Sequence, residues 1–197
     1  MSLVIYGDLR SGNCLKVKWT AERLGLAYDW VEVDFVAGQA RTPEFRRLNP
    51  AAQVPTVLFE DGRSLAQSNA IIWHLARGSD LLPADPYWLS KTLEWLFWEQ
   101  SSHEPNLGMR LYHRLYAKTP ERRIPAELKP DGEGALGRME SWLSGSPFLV
   151  NGKLSVADIA LLPYTRWAPK AGYSLERYPH VQAWVARTEA DLGLDPA

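Results

Sequence analysis

Gln53-Val54-Pro55-Thr56-Val57-Leu58-Phe59-Glu60-Asp61-Gly62-Arg63-Ser64-Leu65-Ala66-Gln67-Ser68 is the stretch that decides the fold. Val54–Phe59 is a short apolar run rich in β-branched residues, as a buried strand requires. It leads into Asp61-Gly62, a dipeptide suited to a tight hairpin turn, so Arg63–Leu65 is expected to return as a second strand. A helix is predicted over 68–77: Ile71, Ile72, Leu75 and Ala76 share one face, and Gly78 supplies the stop. Ser68 stands where a cap or a carboxylate-binding hydroxyl would stand. Pro55 opens the strand, and a cis Val54–Pro55 bond would turn the main chain toward a ligand; an ordinary trans proline is the alternative.

Upstream, Leu3–Tyr6 is a buried strand by the same reading and ends at Gly7. Helical spacing follows over 12–25, with Cys14, Val17, Ala21 and Leu24 on one face and Lys18 and Glu22 as an i,i+4 pair. Val31, Val33 and Phe35 then alternate with Glu32 and Asp34, which predicts a strand, and a short helix is expected at Pro43–Leu48. Strand, helix, strand, helix, hairpin and helix make an α/β unit over 1–78. The Pro- and Asp-bearing segment 78–86 reads as a linker.

From 86 to 197 no strand pattern recurs, and an all-helical domain is predicted. Leu89, Leu93, Leu96 and Phe97 form one stripe, and Leu107, Leu111 and Leu115 continue it beyond Pro105, which is expected to kink or break the helix. Residues 117–134 are polar and proline-bearing, so the next helix is expected at Leu136–Leu143. Ser155-Val156-Ala157-Asp158 is a capping box in its Asp form, with Leu154 and Ile159 at the staple positions. Pro179 is suited to begin the last helix.

The composition excludes several classes. The formal net charge is -1 and the basic residues are scattered, which speaks against nucleic acid or an anionic membrane as partner. No apolar run is long enough to cross a bilayer and there is no charged-then-apolar leader. One cysteine, Cys14, allows no internal disulfide and fits a reducing compartment, so a cytoplasmic protein is expected. The four histidines show no metal-ligand spacing, and no metal is expected.

Ser11-Gly12-Asn13-Cys14 lies where the first helix begins. A helix N-terminus favours an anion such as a thiolate, though Ser11 also reads as a plain helix cap. Cys14 reads as a buried structural thiol rather than a nucleophile.

Each of these signals is local, but their order and spacing resemble the cytosolic glutathione transferases. Tyr6-Gly7, Ser11 with Asn13 and Cys14, Pro43 with Asn49-Pro50, Gln53-Val54-Pro55 and Gln67-Ser68 match the family's N-terminal domain. Trp98-Glu99-Gln100, His103-Glu104-Pro105 and the Ser155–Asp158 box match a bacterial branch of it. The resemblance implies an α/β thioredoxin-like N-terminal domain (1–78) plus an all-α C-terminal domain (86–197). It further implies glutathione as co-substrate, with Ser11 donating a hydrogen bond to the glutathione thiolate and Asn13 approaching the sulfur. Val54 would bond the cysteinyl backbone, Gln67 and Ser68 the γ-glutamyl end, and Gln53 the glycyl end. Many members carry Glu at the place of Gln67, so this contact lacks a charge here. The second substrate, a hydrophobic electrophile or a disulfide, would sit between the domains against the Trp95–Met109 helix. A homodimer using Trp73 is expected, and a disulfide reductase, a peroxidase or a non-catalytic binding protein on the same fold are the alternatives.

Overall fold

The computed structural model describes residues 3–196 and divides into two compact units, one ending at Asp80 and the next beginning at Leu81. The first unit contains β1 (Leu3–Gly7), α1 (Gly12–Arg23), β2 (Asp29–Glu32), α2 (Pro43–Leu48), β3 (Thr56–Phe59), β4 (Ser64–Ala66) and α3 (Ser68–Leu75). Its four-stranded sheet has the order β2-β1-β3-β4, with β1 and β2 parallel and the other pairs antiparallel. A parallel pair needs a crossover, which α1 supplies. This is a thioredoxin-like unit.

Ile5 and Val57 are cross-strand partners and fully buried. Cys14, Val17 and Ala21 of α1 and Ile71, Ile72 and Ala76 at α3 are fully buried too. Tyr6, turned to the opposite face, joins Val54 against Val33, Ala40 and Phe45, its ring 6.1 Å edge-on to Phe45.

Two local expectations need correction. The strand expected over Val31–Phe35 runs only over Asp29–Glu32. Val33 N–H still reaches Gly7 C=O at 2.8 Å, but Phe35 N–H donates to the Asp8 carboxylate at 3.2 Å and Ala37 N–H to Asp34 at 2.8 Å. These bonds draw the chain into a loop, so Val31 and Phe35 are not core residues. The returning hairpin strand is Ser64–Ala66, one residue later than expected, because Asp61 accepts Arg63 N–H within the turn at 3.0 Å.

The second unit is all helical among the described residues: α4 (Pro86–Trp98), α5 (Glu104–Leu115), α6 (Leu128–Leu143), α7 (Val156–Arg166) and α8 (Pro179–Asp191). Every residue of α7 from Val156 to Thr165 is buried. Its capping box is complete, and Asp158 also accepts from Leu149 N–H and from the Trp184 indole.

Between α4 and α5 lies a π-helical turn, Glu99–His103, with Glu99 and His103 both buried. The break therefore precedes Pro105, which sits in the first turn of α5, where a missing N–H costs nothing. The stripe expected on α4 is displaced: Thr92, Trp95 and Leu96 are buried, whereas Phe97 is 71% exposed. The helix expected from Leu136 begins at Leu128, because Pro130 falls in its first turn and Gly132 makes room for Tyr173.

Candidate functional site

The β1–α1 loop is built by Asp8. This side chain is fully buried and accepts from Arg10 N–H and Nε at 2.9 Å and from Nη2 at 2.7 Å. The Phe35 N–H bond joins it to the loop after β2. Burial pushes the Asp8 carboxyl up, but the bonds from Arg10 and Phe35 outweigh it and hold the group below its ordinary value. Arg10 also pairs with Asp34 at 2.8 Å and lies over the Phe35 ring. Asp8 C=O accepts Ser11 N–H at 2.9 Å, and this bond sets Ser11 at the start of α1.

Ser11 has the extended backbone of an N-cap, yet its side chain makes no capping bond. Its hydroxyl bonds instead to Cys14. Burial pushes the Cys14 thiol up to about 11, against bonds from Ser11 and the Asp8 backbone that pull it down. A buried thiol with that value stays protonated at neutral pH, the property of a structural cysteine.

Asn13, in the first turn of α1, is half-buried and accepts a hydrogen bond from Ser68 Oγ at 3.1 Å. That bond ties the N-terminus of α1 to that of α3. Ser68 is buried, and Gln67 before it is exposed, with a left-handed φ of 69° and no capping bond from its side chain. Such a backbone is uncommon for a residue with a side chain and is held here by the entry of the chain into α3.

The Val54–Pro55 bond is cis. The β1–β3 ladder ends with Tyr6 opposite Thr56, so Val54 stands just outside it. Asn49, buried, shapes this approach by donating to Gln53 C=O at 2.8 Å and to Thr56 Oγ1 at 3.1 Å and by accepting Ala51 N–H at 3.0 Å. The Gln53 side chain is exposed and belongs to no bond that ties it to Ser11, Asn13 or Ser68. Thus the first unit joins Asn13 to Ser68 directly and Ser11 to Asn13 through α1, while Val54 and Gln53 come from a separate, Asn49-built loop.

Asp8, Arg10 and Asn49 are the residues missed in the sequence. The only signal for them is polar residues beside a turn, Asp8-Leu9-Arg10 before the cap and Asn49-Pro50 after a helix. Among the described residues no group of three or more His, Cys, Asp or Glu side chains is placed to hold a metal ion, and no helix is long and apolar enough to cross a membrane.

A thioredoxin-like unit followed by a helical one, with two helix N-termini joined beside a cis-proline loop, defines a class of thiol-handling proteins. Residues 10–77 match the N-terminal domain of glutathione S-transferase and residues 106–191 match its C-terminal domain. The crystal structure of a glutathione S-transferase from Pseudomonas fluorescens is 43% identical, with a TM-score of 0.92, covering 95% of this chain and 94% of that one. The chain belongs to the glutathione S-transferase family. A structure of Ure2p in complex with glutathione is 25% identical, with a TM-score of 0.85, covering 95% of this chain and 93% of that one. The transcriptional regulator URE2 of Saccharomyces cerevisiae is 28% identical over 92% of this chain; the chain spans 63% of the length of that relative.

Proposed function

We propose that this protein is a glutathione transferase that binds glutathione on its thioredoxin-like unit and activates the thiol as a thiolate. The observation that carries the reading is the state of Ser11: an N-cap hydroxyl without a capping bond, at the positive end of a twelve-residue helix. Ser11 donates to the sulfur and is not a nucleophile, and Asn13 is the second polar group at the same helix start. Val54 offers its main chain to the cysteinyl backbone, the first turn of α3 at Gln67 and Ser68 receives the γ-glutamyl end, and Gln53 faces the glycyl end. The thiolate then attacks a hydrophobic electrophile. Each unit by which the thiol pKa falls corresponds to about 1.4 kcal/mol of differential stabilisation. The enzyme acts in the cytoplasm as a homodimer, with Trp73 at the interface.

Two further readings have specific support. Asn13 beside the sulfur favours reduction of a disulfide or peroxide by glutathione, without a cysteine nucleophile because Cys14 is buried. The similarity to a transcriptional regulator favours a non-catalytic binding protein.

Calorimetric titration with glutathione, followed by parallel assays with a chlorinated aromatic and a small disulfide, separates the three. Binding with conjugation supports the transferase, and binding with disulfide turnover alone supports the reductase. Binding without either supports the regulator-like reading, and no binding overturns all three.

A further inference from the structure

Ser68 carries one hydroxyl proton, and the structure commits it to Asn13 Oδ1 at 3.1 Å. A carboxamide is planar, with acceptor and donor ends opposed. With its oxygen engaged by α3, Asn13 keeps its Nδ2 donors turned away from that helix. The same hydroxyl proton cannot be given at once to a γ-glutamyl carboxylate. That carboxylate has another set of donors available, the main-chain N–H groups in the first turn of α3. The first i,i+4 bond of that helix runs from Ile71 N–H to Gln67 C=O at 3.0 Å, so the N–H groups before Ile71 precede the ladder.

We infer that the Ser68 side chain is a positioning residue for Asn13, fixing its carboxamide so that the amide N–H groups face the thiolate, while the main chain of α3 holds the γ-glutamyl end. This rests on the glutathione reading above. Two features of the structure support it beyond the distance. Ser68 is buried, as suits an internal brace, and exposed Gln67 is the more accessible side chain at that end of α3. The bond also joins the two helix starts that the tripeptide would bridge, so binding at one end and ionisation at the other share one hydrogen bond.

The test uses S-methylglutathione, which has the γ-glutamyl end but no ionisable thiol, beside glutathione itself. Calorimetry gives affinity, and thiolate absorbance against pH gives the pKa of bound glutathione, for the wild type, Ser68→Ala, Ser68→Thr, Asn13→Ala and the Ser68→Ala/Asn13→Ala pair. As a positioning residue, Ser68→Ala lowers the bound thiolate fraction about fivefold below its pKa, the scale of one net hydrogen bond. S-methylglutathione affinity then changes less than about twofold, Ser68→Thr restores the pKa, and Ser68→Ala has no further effect once Asn13 is Ala. If Ser68→Ala weakens both ligands equally and leaves the pKa unmoved, the hydroxyl is a carboxylate ligand and the inference is overturned. An additive shift in the double variant overturns it as well. If the wild type binds neither ligand, it is the glutathione reading itself that falls.

Discussion

Trp184 donates its indole N–H to Asp158 Oδ1 across 2.8 Å, in a place where both side chains are fully buried. Asp158 also receives Leu149 N–H and, at its other oxygen, Ser155 N–H and Oγ. One carboxylate thereby ties the start of α7 to α8 and to the segment before it.

Burial pushes the Asp158 carboxyl up to about 6, against the four donors that pull it down. The folded value lies above the ordinary one, so the native chain holds the proton more tightly than the unfolded chain does. The resulting stability is complete below about pH 4 and is lost as pH rises through 6. Its size is about 3 kcal/mol. Asp158→Asn has no such titration. Urea midpoints of the two proteins should therefore differ in favour of the wild type most at pH 4, with the gap shrinking toward pH 7. A gap constant in pH would sink this account.

Two glycines of α6 should respond in opposite senses to alanine. A methyl at Gly132 would come within 2.3 Å of the Tyr173 hydroxyl, which donates to Leu128 C=O at 2.6 Å, so Gly132→Ala forces the tyrosine off its bond. The expected cost is about 1–3 kcal/mol. Gly137 meets nothing within 4 Å, and Gly137→Ala should stabilise by up to about 1 kcal/mol through helix propensity alone. Thermal midpoints moving the same way for both would refute the packing role of Tyr173.

Ser11→Ala and Cys14→Ser should separate chemistry from folding. Because Ser11 makes no side-chain capping bond, its loss should cost well under about 1 kcal/mol of stability. The bound glutathione thiol should rise by about one to two pKa units, the worth of a hydrogen bond to a charged group. Cys14→Ser places a hydroxyl on a fully buried face and should cost about 1–3 kcal/mol while sparing turnover. Abolished disulfide reduction in Cys14→Ser with full activity in Ser11→Ala would make this a cysteine-type enzyme.

Asn49→Ala removes the donors that hold Gln53 C=O and Thr56 Oγ1 and the acceptor for Ala51 N–H. Val54 should lose its fixed approach, and glutathione affinity should drop about tenfold, on the scale of one or two net hydrogen bonds. Affinity equal to wild type in a folded variant would show that Val54 needs no such support.

The elements legible in the sequence are those with local causes. Asp61-Gly62 dictates its hairpin turn, Ser155 and Asp158 dictate their capping box, and Pro179 begins α8, whatever lies around them. Val31–Phe35 alternates as a strand should, yet a distant side chain, Asp8, takes the Phe35 N–H and ends the strand early. Residues 128–134 look like a loop because their Pro and Gly are read without Tyr173, which occupies the space that Gly132 leaves. The helix starts of the site, at Ser11 and Ser68, are legible for the same local reason as the caps. The groups that aim them are not, since polar loop residues such as Asp8, Arg10 and Asn49 look solvent-facing until the fold buries or pairs them.

The π turn at Glu99–His103 has a meaning in descent as well as in packing. Such a turn holds one residue more than the α-turn it replaces, so it is the trace that a one-codon insertion leaves in a helix. Removing exposed Ser101 would restore a regular helix through this point but rotate everything after it by about 100°. Leu107 and Leu111 would swing out of the core, and Met109 and Tyr112, now outward, would be brought round toward it. The extra residue is therefore a ratchet: a lineage carrying it can lose it only together with a rewritten face of α5.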